Sequence, residues 1–169
     1  ALTADRDNQY LMLDSTIDRA HQQAASGKGG PRITPWGVPE ADATKVHMLA
    51  DALGRPLRFI VTAGQAGDVT QAPVLLEGQT GDAVLADKAY DSNALRALIA
   101  SMGAEAVIPS NRTRKIIIPH NAGLYKYRNR IERCFNRLKH FRRFATRYDR
   151  RTVYFTGFVH LAAAMAWLQ

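Results

Sequence analysis

Cysteine is nearly missing from this chain of 169 residues: Cys134 is the only one. A lone thiol cannot form an internal disulfide, and the five histidines show no Cys/His spacing of the kind zinc requires. A disulfide-stapled secreted scaffold and a structural zinc site are therefore excluded, and a reducing, cytoplasmic setting is expected. No charged-then-apolar leader opens the chain, which begins Ala1-Leu2-Thr3. The one long uncharged apolar stretch, Tyr154 to Leu168, falls short of the roughly 20 residues needed to cross a bilayer. It is expected to be a buried helix, and no membrane partner is expected. Internal repeats and low-complexity tracts are also missing.

Acidic residues are scarce in one segment. Residues 112–151 hold 14 of the 23 Lys and Arg but only two acids, Glu132 and Asp149, so the segment carries +12 and the remainder −4 within a net charge of +8. A basic block this local is the footprint of a polyanion partner, because Lys and Arg release counterions from nucleic-acid phosphate. With 46% hydrophobic residues the chain has enough apolar material for one domain with a core.

The apolar runs place the elements. YLML at 10–13, VHMLA at 46–50 and LRFIVT at 57–62 read as three sequential strands, the last two bracketing the turn Asp51 to Pro56. Gly27 to Pro39 is rich in Gly and Pro and reads as a loop. A short helix over 70–77, a buried strand at 83–86, a helix over 92–103 ended by Gly103, and a strand stopped by Pro109 follow, before two C-terminal helices. Three antiparallel strands followed by strand–helix alternation predict an α/β fold with a mixed sheet flanked by helices.

One carboxylate interrupts the basic segment. In YKYRNRIERCFNRLK, residues 125–139, a helix at 100° per residue puts Arg128, Glu132 and Lys139 within about 60° of Tyr125, on one narrow face. Ile131, Cys134, Leu138, Phe141 and Ala145 form an apolar stripe on another face, and Arg130, Arg133, Arg137 and His140 form a basic flank. Glu132 is either an ordinary ion pair with Arg128 or a metal ligand beside a phosphate-binding face, and spacing leaves both open. Asp14 and Asp87 each close a four-residue apolar run, YLML and AVLA. Acids there serve as turn caps or face a crevice at the sheet edge. Asp91, with Ser92, is expected to cap the helix that follows, and Asp51, Asp68 and Asp82 are expected in turns and loops.

These residues resemble the DDE transposases of bacterial insertion sequences, most closely the insertion sequence 5 family. The signature Tyr-(2)-Arg-(3)-Glu-(6)-Lys is met without a gap by Tyr125, Arg128, Glu132 and Lys139. DSTIDRAHQQAAS from Asp14, ADKAYDSNALR from Ala86 and the C-terminal FVHLAAAMAWL are also similar to family blocks, so the resemblance runs from about Tyr10 to Leu168. It implies an RNase H-like fold filling residues 1–169 as one catalytic domain, with Asp14, Asp87 and Glu132 as catalytic, metal-binding acids. About nine residues precede the first strand, so the N-terminal helical region that family members generally carry is expected to be absent. GGPRITPWGVPEADATKVH stands where relatives have a compact Gly-Arg-Ser-Arg-Gly-Gly-type stretch.

The implied activity is DNA strand cleavage followed by 3′-hydroxyl strand transfer, using two Mg2+ or Mn2+ ions. Tyr125, Arg128 and Lys139 are then expected to bind DNA beside the scissile bond, with Arg142, Arg143 and Arg147 extending the track. Transposon ends and target DNA are the expected partners, with a homodimer on DNA and a location at the bacterial nucleoid. The alternatives are an RNase H-like nuclease without joining activity and an inactive DNA-binding remnant.

Overall fold

The computed structural model describes residues 6–21 and 43–168; the Gly/Pro loop read at 27–39 lies outside them. The first three strands form an antiparallel meander. β1 (Tyr10–Ala20) pairs with β2 (Ala43–Ala50), and β2 pairs with β3 (Pro56–Ala63). After α1 (Asp68–Leu76) come β4 (Ala83–Leu85), α2 (Asn93–Ser101) and β5 (Glu105–Val107), and both strands lie parallel to their neighbours. The strand order β3-β2-β1-β4-β5 is the mixed sheet that the sequence predicts, with the RNase H-like arrangement of three antiparallel and two parallel strands. α3 (Ala122–Tyr125), α4 (Asn129–Lys139), α5 (Arg142–Ala145) and α6 (Thr152–Trp167) complete the chain, and a two-residue strand, β6 (Thr146–Arg147), adds to the far end of β1.

Alternation along the strands splits the core in two, because successive side chains point to opposite faces. Tyr10, Met12, Val46, Met48, Ala83 and Leu85 pack against α4, α5 and α6 through Ile131, Cys134, Leu138, Phe144, Phe155 and Val159. Leu11, Leu13, Leu49, Val84 and Ala86 pack on the other side, against Ala72 and Leu75 of α1 and Leu95 and Ile99 of α2. The sheet is thus sandwiched between two helical layers.

Four local expectations change. β1 does not stop at Asp14 but runs six residues further, to Ala20, because β2 continues to pair with it as far as Arg19. The helix expected from Tyr125 to Ala145 is broken by a 3₁₀ turn at Lys126–Arg128 and by the extended backbone of Phe141. α6 buries only one side. Phe155, Val159, Ala162 and Ala166 face the core, while Val153, Tyr154, Leu161 and Met165 are exposed. Finally, Ser92 alone caps α2 through its Oγ, 3.1 Å from the N–H of Leu95. Asp91 instead binds Arg96 and Arg114, each at 2.8 Å, and accepts the N–H of Asn111.

Candidate active site

Among the described residues, one edge of β1 is covered in two places only. β4 pairs with Tyr10 to Met12 and β6 with Arg19 and Ala20, which leaves the stretch between them open on that side. Asp14 lies in this opening. Met12 is opposite Leu85, so Asp14 and Asp87 follow two residues further along each chain, and alternation turns both toward the face covered by α4. Asp87 also caps the 3₁₀ turn Lys88–Tyr90, its Oδ1 accepting the N–H of Ala89 at 2.8 Å. The cap role and the crevice position coexist in one residue, since its second oxygen remains for other partners.

The helical segment brings the third acid. Arg128 reaches Asp14 with Nη1, 3.3 Å from Oδ2, and donates from Nη2 to Glu132 Oε1 at 2.7 Å. One guanidinium therefore spans two carboxylates from distant parts of the chain. Asp14 is largely buried, and burial pushes its carboxyl up to about 6; Arg128 and the Ser15 N–H pull it down, while the negative charges of Asp87 and Glu132 push it further up. Asp87 and Glu132 thus both lie close enough for their charges to act on Asp14. Glu132 itself is half exposed. Tyr125 stands beside Arg128, whose cationic form it favours, and packs edge-on against His120.

The remaining signature residue, Lys139, is exposed at the other end of α4, where its charge acts on Asp18. Asp18 shares the face of Asp14 on β1. It is 1% exposed, its Oδ2 has no hydrogen-bond partner, and burial raises its carboxyl to about 7 against the pull of Lys139. The expected basic track is only partly on the surface. Arg142 is exposed, and Arg143 is exposed but held by Asp149 at 3.0 Å and stacked on Phe158. Arg147 is 2% exposed within β6, so its expected place on an open phosphate track is corrected: pairing with β1 turns it inward.

Sequence reasoning missed a second polar cluster on the opposite face of β1. Ser15 donates from Oγ to Asp68 Oδ1 at 2.6 Å, and Lys45 Nζ lies 3.0 Å from the same oxygen. His47, fully buried, hydrogen-bonds Thr62 and has Nδ1 3.6 Å from Asp68. Burial lowers its pKa to about 4, so the ring is neutral at pH 7 despite the nearby acid. The hydroxyl of Tyr90 lies close enough to Asp68, Asp14 and Asp87 to feel all three charges. Asp68 was read as a loop acid because α1 begins at that residue and no periodic pattern precedes it.

Hard carboxylate oxygens on one crevice suit a hard divalent cation. As they stand, no three His, Cys, Asp or Glu side chains among the described residues are grouped to hold one. The donor set still fits. Asp14 and Glu132 already share a cation, the Arg128 guanidinium.

Residues 6–167 match the family described as Transposase DDE domain. A protein of Brucella ovis named as a transposase for insertion sequence element IS6501 is 48% identical over 128 residues, covering 75% of this chain and 98% of that protein. A Burkholderia cepacia protein named as a transposase for insertion sequence element IS402 is 34% identical over 150 residues, covering 82% of this chain and 67% of that protein. Among solved structures, a simian T-cell lymphotropic virus intasome in complex with PP2A regulatory subunit B56 gamma aligns with a TM-score of 0.49 at 15% identity, covering 96% of this chain and 48% of that one. A piggyBac transposase synaptic complex with hairpin DNA aligns with a TM-score of 0.42 at 13% identity, covering 66% of this chain and 25% of that one. Among the described residues, no helix is long and apolar enough to cross a membrane.

Proposed function

This chain belongs to the DDE transposase domain family of bacterial insertion sequences, and from that premise we propose that Asp14, Asp87 and Glu132 are the three acids of a transposase site of the insertion sequence 5 type. The observation that carries the reading is Arg128, which joins Asp14 on β1 to Glu132 on α4 within reach of Asp87's charge. An incidental surface pair would not need a strand residue from more than a hundred positions away. The domain is a polynucleotidyl transferase and endonuclease, and residues 1–169 are read as one catalytic domain.

The family is generally divalent-metal dependent. Here Asp14, Asp87 and Glu132 would hold Mg2+ or Mn2+, in the number of two, and such ions supply Lewis-acid polarisation of the scissile phosphate. The chain's own groups do the rest. Arg128 balances Asp14 and Glu132 in the resting site and is long enough to turn its free donors toward phosphate. Tyr125, beside it, offers a ring and a hydroxyl to the nucleotide next to the cut, and Lys139 and Arg142 offer charge along the backbone. Asp68 and Ser15 brace β1 from behind, Ser15 also holding Asp14 Oδ1 through its N–H at 2.9 Å. The DNA substrates are transposon ends and target DNA, engaged by a homodimer at the nucleoid.

Glu132→Gln tests this reading. It keeps size but removes the charge a hard cation requires, so metal-dependent nicking should fall by at least a hundredfold while DNA binding holds or tightens, there being one negative charge fewer near phosphate. Lys139→Ala should weaken DNA binding and leave metal affinity nearly unchanged. If Glu132 were only an i,i+4 partner of Arg128, Glu132→Gln would cost a few tenths of a kcal/mol of stability and leave nicking alone. A joining assay on pre-nicked ends distinguishes a transposase from a nuclease that only cuts.

A further inference from the structure

The site described above uses one face of α4, and a second face carries charge that nothing there employs. Arg130, Arg133 and Arg137 recur at steps of three and four along α4, followed by His140 at its C-terminal cap. They line an open groove of about 550 Å3 together with Asn136 and Leu53. Helical geometry at 100° per residue sets this stripe about 130° around α4 from Glu132 and Lys139. Its far wall is the β2–β3 turn, which packs so closely that a Cβ on Gly54 would meet the Arg130 carbonyl oxygen at 2.9 Å.

Among the described residues, the groove lacks countercharge. Arg130 is tied to the fold, donating to the Tyr10 hydroxyl at 2.8 Å and to the Ala52 carbonyl, with its guanidinium over the Tyr127 ring. Arg133 and Arg137 are exposed and, among the described residues, neither pairs with a carboxylate. The acid of this turn, Asp51, is fully buried and already bound by Arg55 at 2.7 Å and by the N–H groups of Leu53 and Arg55. Two like charges at i,i+4 repel each other, so the pair destabilises the free helix slightly. A polyanion would reverse that sign. From Arg130 to His140 the stripe spans about 15 Å at 1.5 Å per residue, the rise of roughly four or five phosphates on one DNA strand. Leu53, 53% exposed, gives the groove an apolar contact suited to deoxyribose.

We infer that this groove is a second DNA-backbone site, holding duplex away from the phosphate that faces the carboxylates. The inference rests on the transposase reading, which supplies the polymer, and adds where a further stretch of it lies. The stretch is either the continuation of the duplex being cut or a separate duplex.

The double variant Arg133→Gln/Arg137→Gln tests it, at exposed positions where glutamine keeps helix propensity. Salt titrations of binding to a long duplex should lose about 1.8 from the log–log slope, two phosphates at about 0.9 each, which is about thirtyfold in affinity at 0.15 M salt. Nicking at saturating DNA should stay within about twofold, and Arg133→Lys/Arg137→Lys should restore the slope. If the groove holds the continuation of the same duplex, the loss appears on long duplexes and not on short ones. If it holds a separate duplex, the wild-type protein retains a second unlabelled duplex that the variant releases. An unchanged slope on every duplex overturns the inference while leaving the transposase reading intact. Failure of the wild-type protein to bind any DNA overturns both.

Discussion

Asp18→Asn should stabilise the metal-free protein above neutral pH and destabilise it in acid, where the aspartate is protonated and only the amide's cost of about 1–3 kcal/mol remains. Asp18 is buried on β1 with one oxygen unpartnered, and its carboxyl is raised from 3.8 to about 7, burial outweighing the pull of Lys139. The folded chain therefore keeps a proton there that the unfolded chain gives up near pH 4. This contribution is fully present below pH 4 and is lost as pH rises to 7, because ionising the buried group must then be forced. Three pH units at about 1.36 kcal/mol each set a ceiling near 4 kcal/mol. Asparagine keeps the shape and cannot ionise, and its amide, imperfectly bonded, returns about 1–3 kcal/mol of that gain. A net rise of roughly 1–3 kcal/mol at pH 8 corresponds to about 2–12 °C in Tm for a chain of this size. Thermal melts of both proteins in chelator, from pH 5 to pH 8, read the difference directly, and the titration of Asp14 cancels because both carry it. A difference that stays constant with pH, or an Asp18→Asn protein less stable at pH 8, would refute the argument.

Two further substitutions probe the scaffold. At Asp91 burial raises the pKa, but hydrogen bonds from Arg114, the Asn111 N–H and Arg96 outweigh it and hold the carboxyl well below the usual carboxylate range. Its contribution is present above about pH 4 and fades as pH falls; Asp91→Ala should cost about 2 kcal/mol at pH 7 in urea unfolding and free the segment after β5 for proteolysis. Gly54→Ala should cost roughly 1–3 kcal/mol, since Gly54 sits at φ +82° and the added methyl would meet the Arg130 backbone; a melt within 1 °C of wild type would show that the turn yields.

The parts of the fold that could be read from sequence are those whose pattern reports burial. YLML, VHMLA and LRFIVT gave β1, β2 and β3 because strands covered on both faces read as continuous apolar runs. The same logic hid the rest of β1. DSTIDRA is polar because it borders the crevice, so the apolar signal stops where the strand leaves the core. The pairing of Arg128 with Glu132 was legible because their i,i+4 spacing is helical, whereas the 3₁₀ turn at Lys126–Arg128 leaves no trace in composition. α6 was misjudged because an apolar sequence does not say how much of a helix has something to pack against. Asp68 was invisible, since its partners Ser15, Lys45 and His47 come from two other strands.

That hidden half of β1 also explains why the crevice needs a long, firmly registered strand. Even-numbered residues Asp14 and Asp18 turn toward α4, and odd-numbered Ser15 turns toward Asp68. A slip of one residue against β2 would exchange these two sets, placing a hydroxyl where Arg128 waits and a carboxylate against Asp68. The register holds Asp14 opposite Met48 and Ser15 opposite His47, and the two partners differ as the faces do. Met48 belongs to the apolar layer under α4, and His47 is a neutral, fully buried ring bonded to Thr62. Moving either to the other layer would bury a polar ring among Ile131 and Leu138, or aim a methionine at Asp68. Apolar packing on one face and hydrogen bonding on the other thus fix the same register, and with it the place of Asp14 beside Asp87.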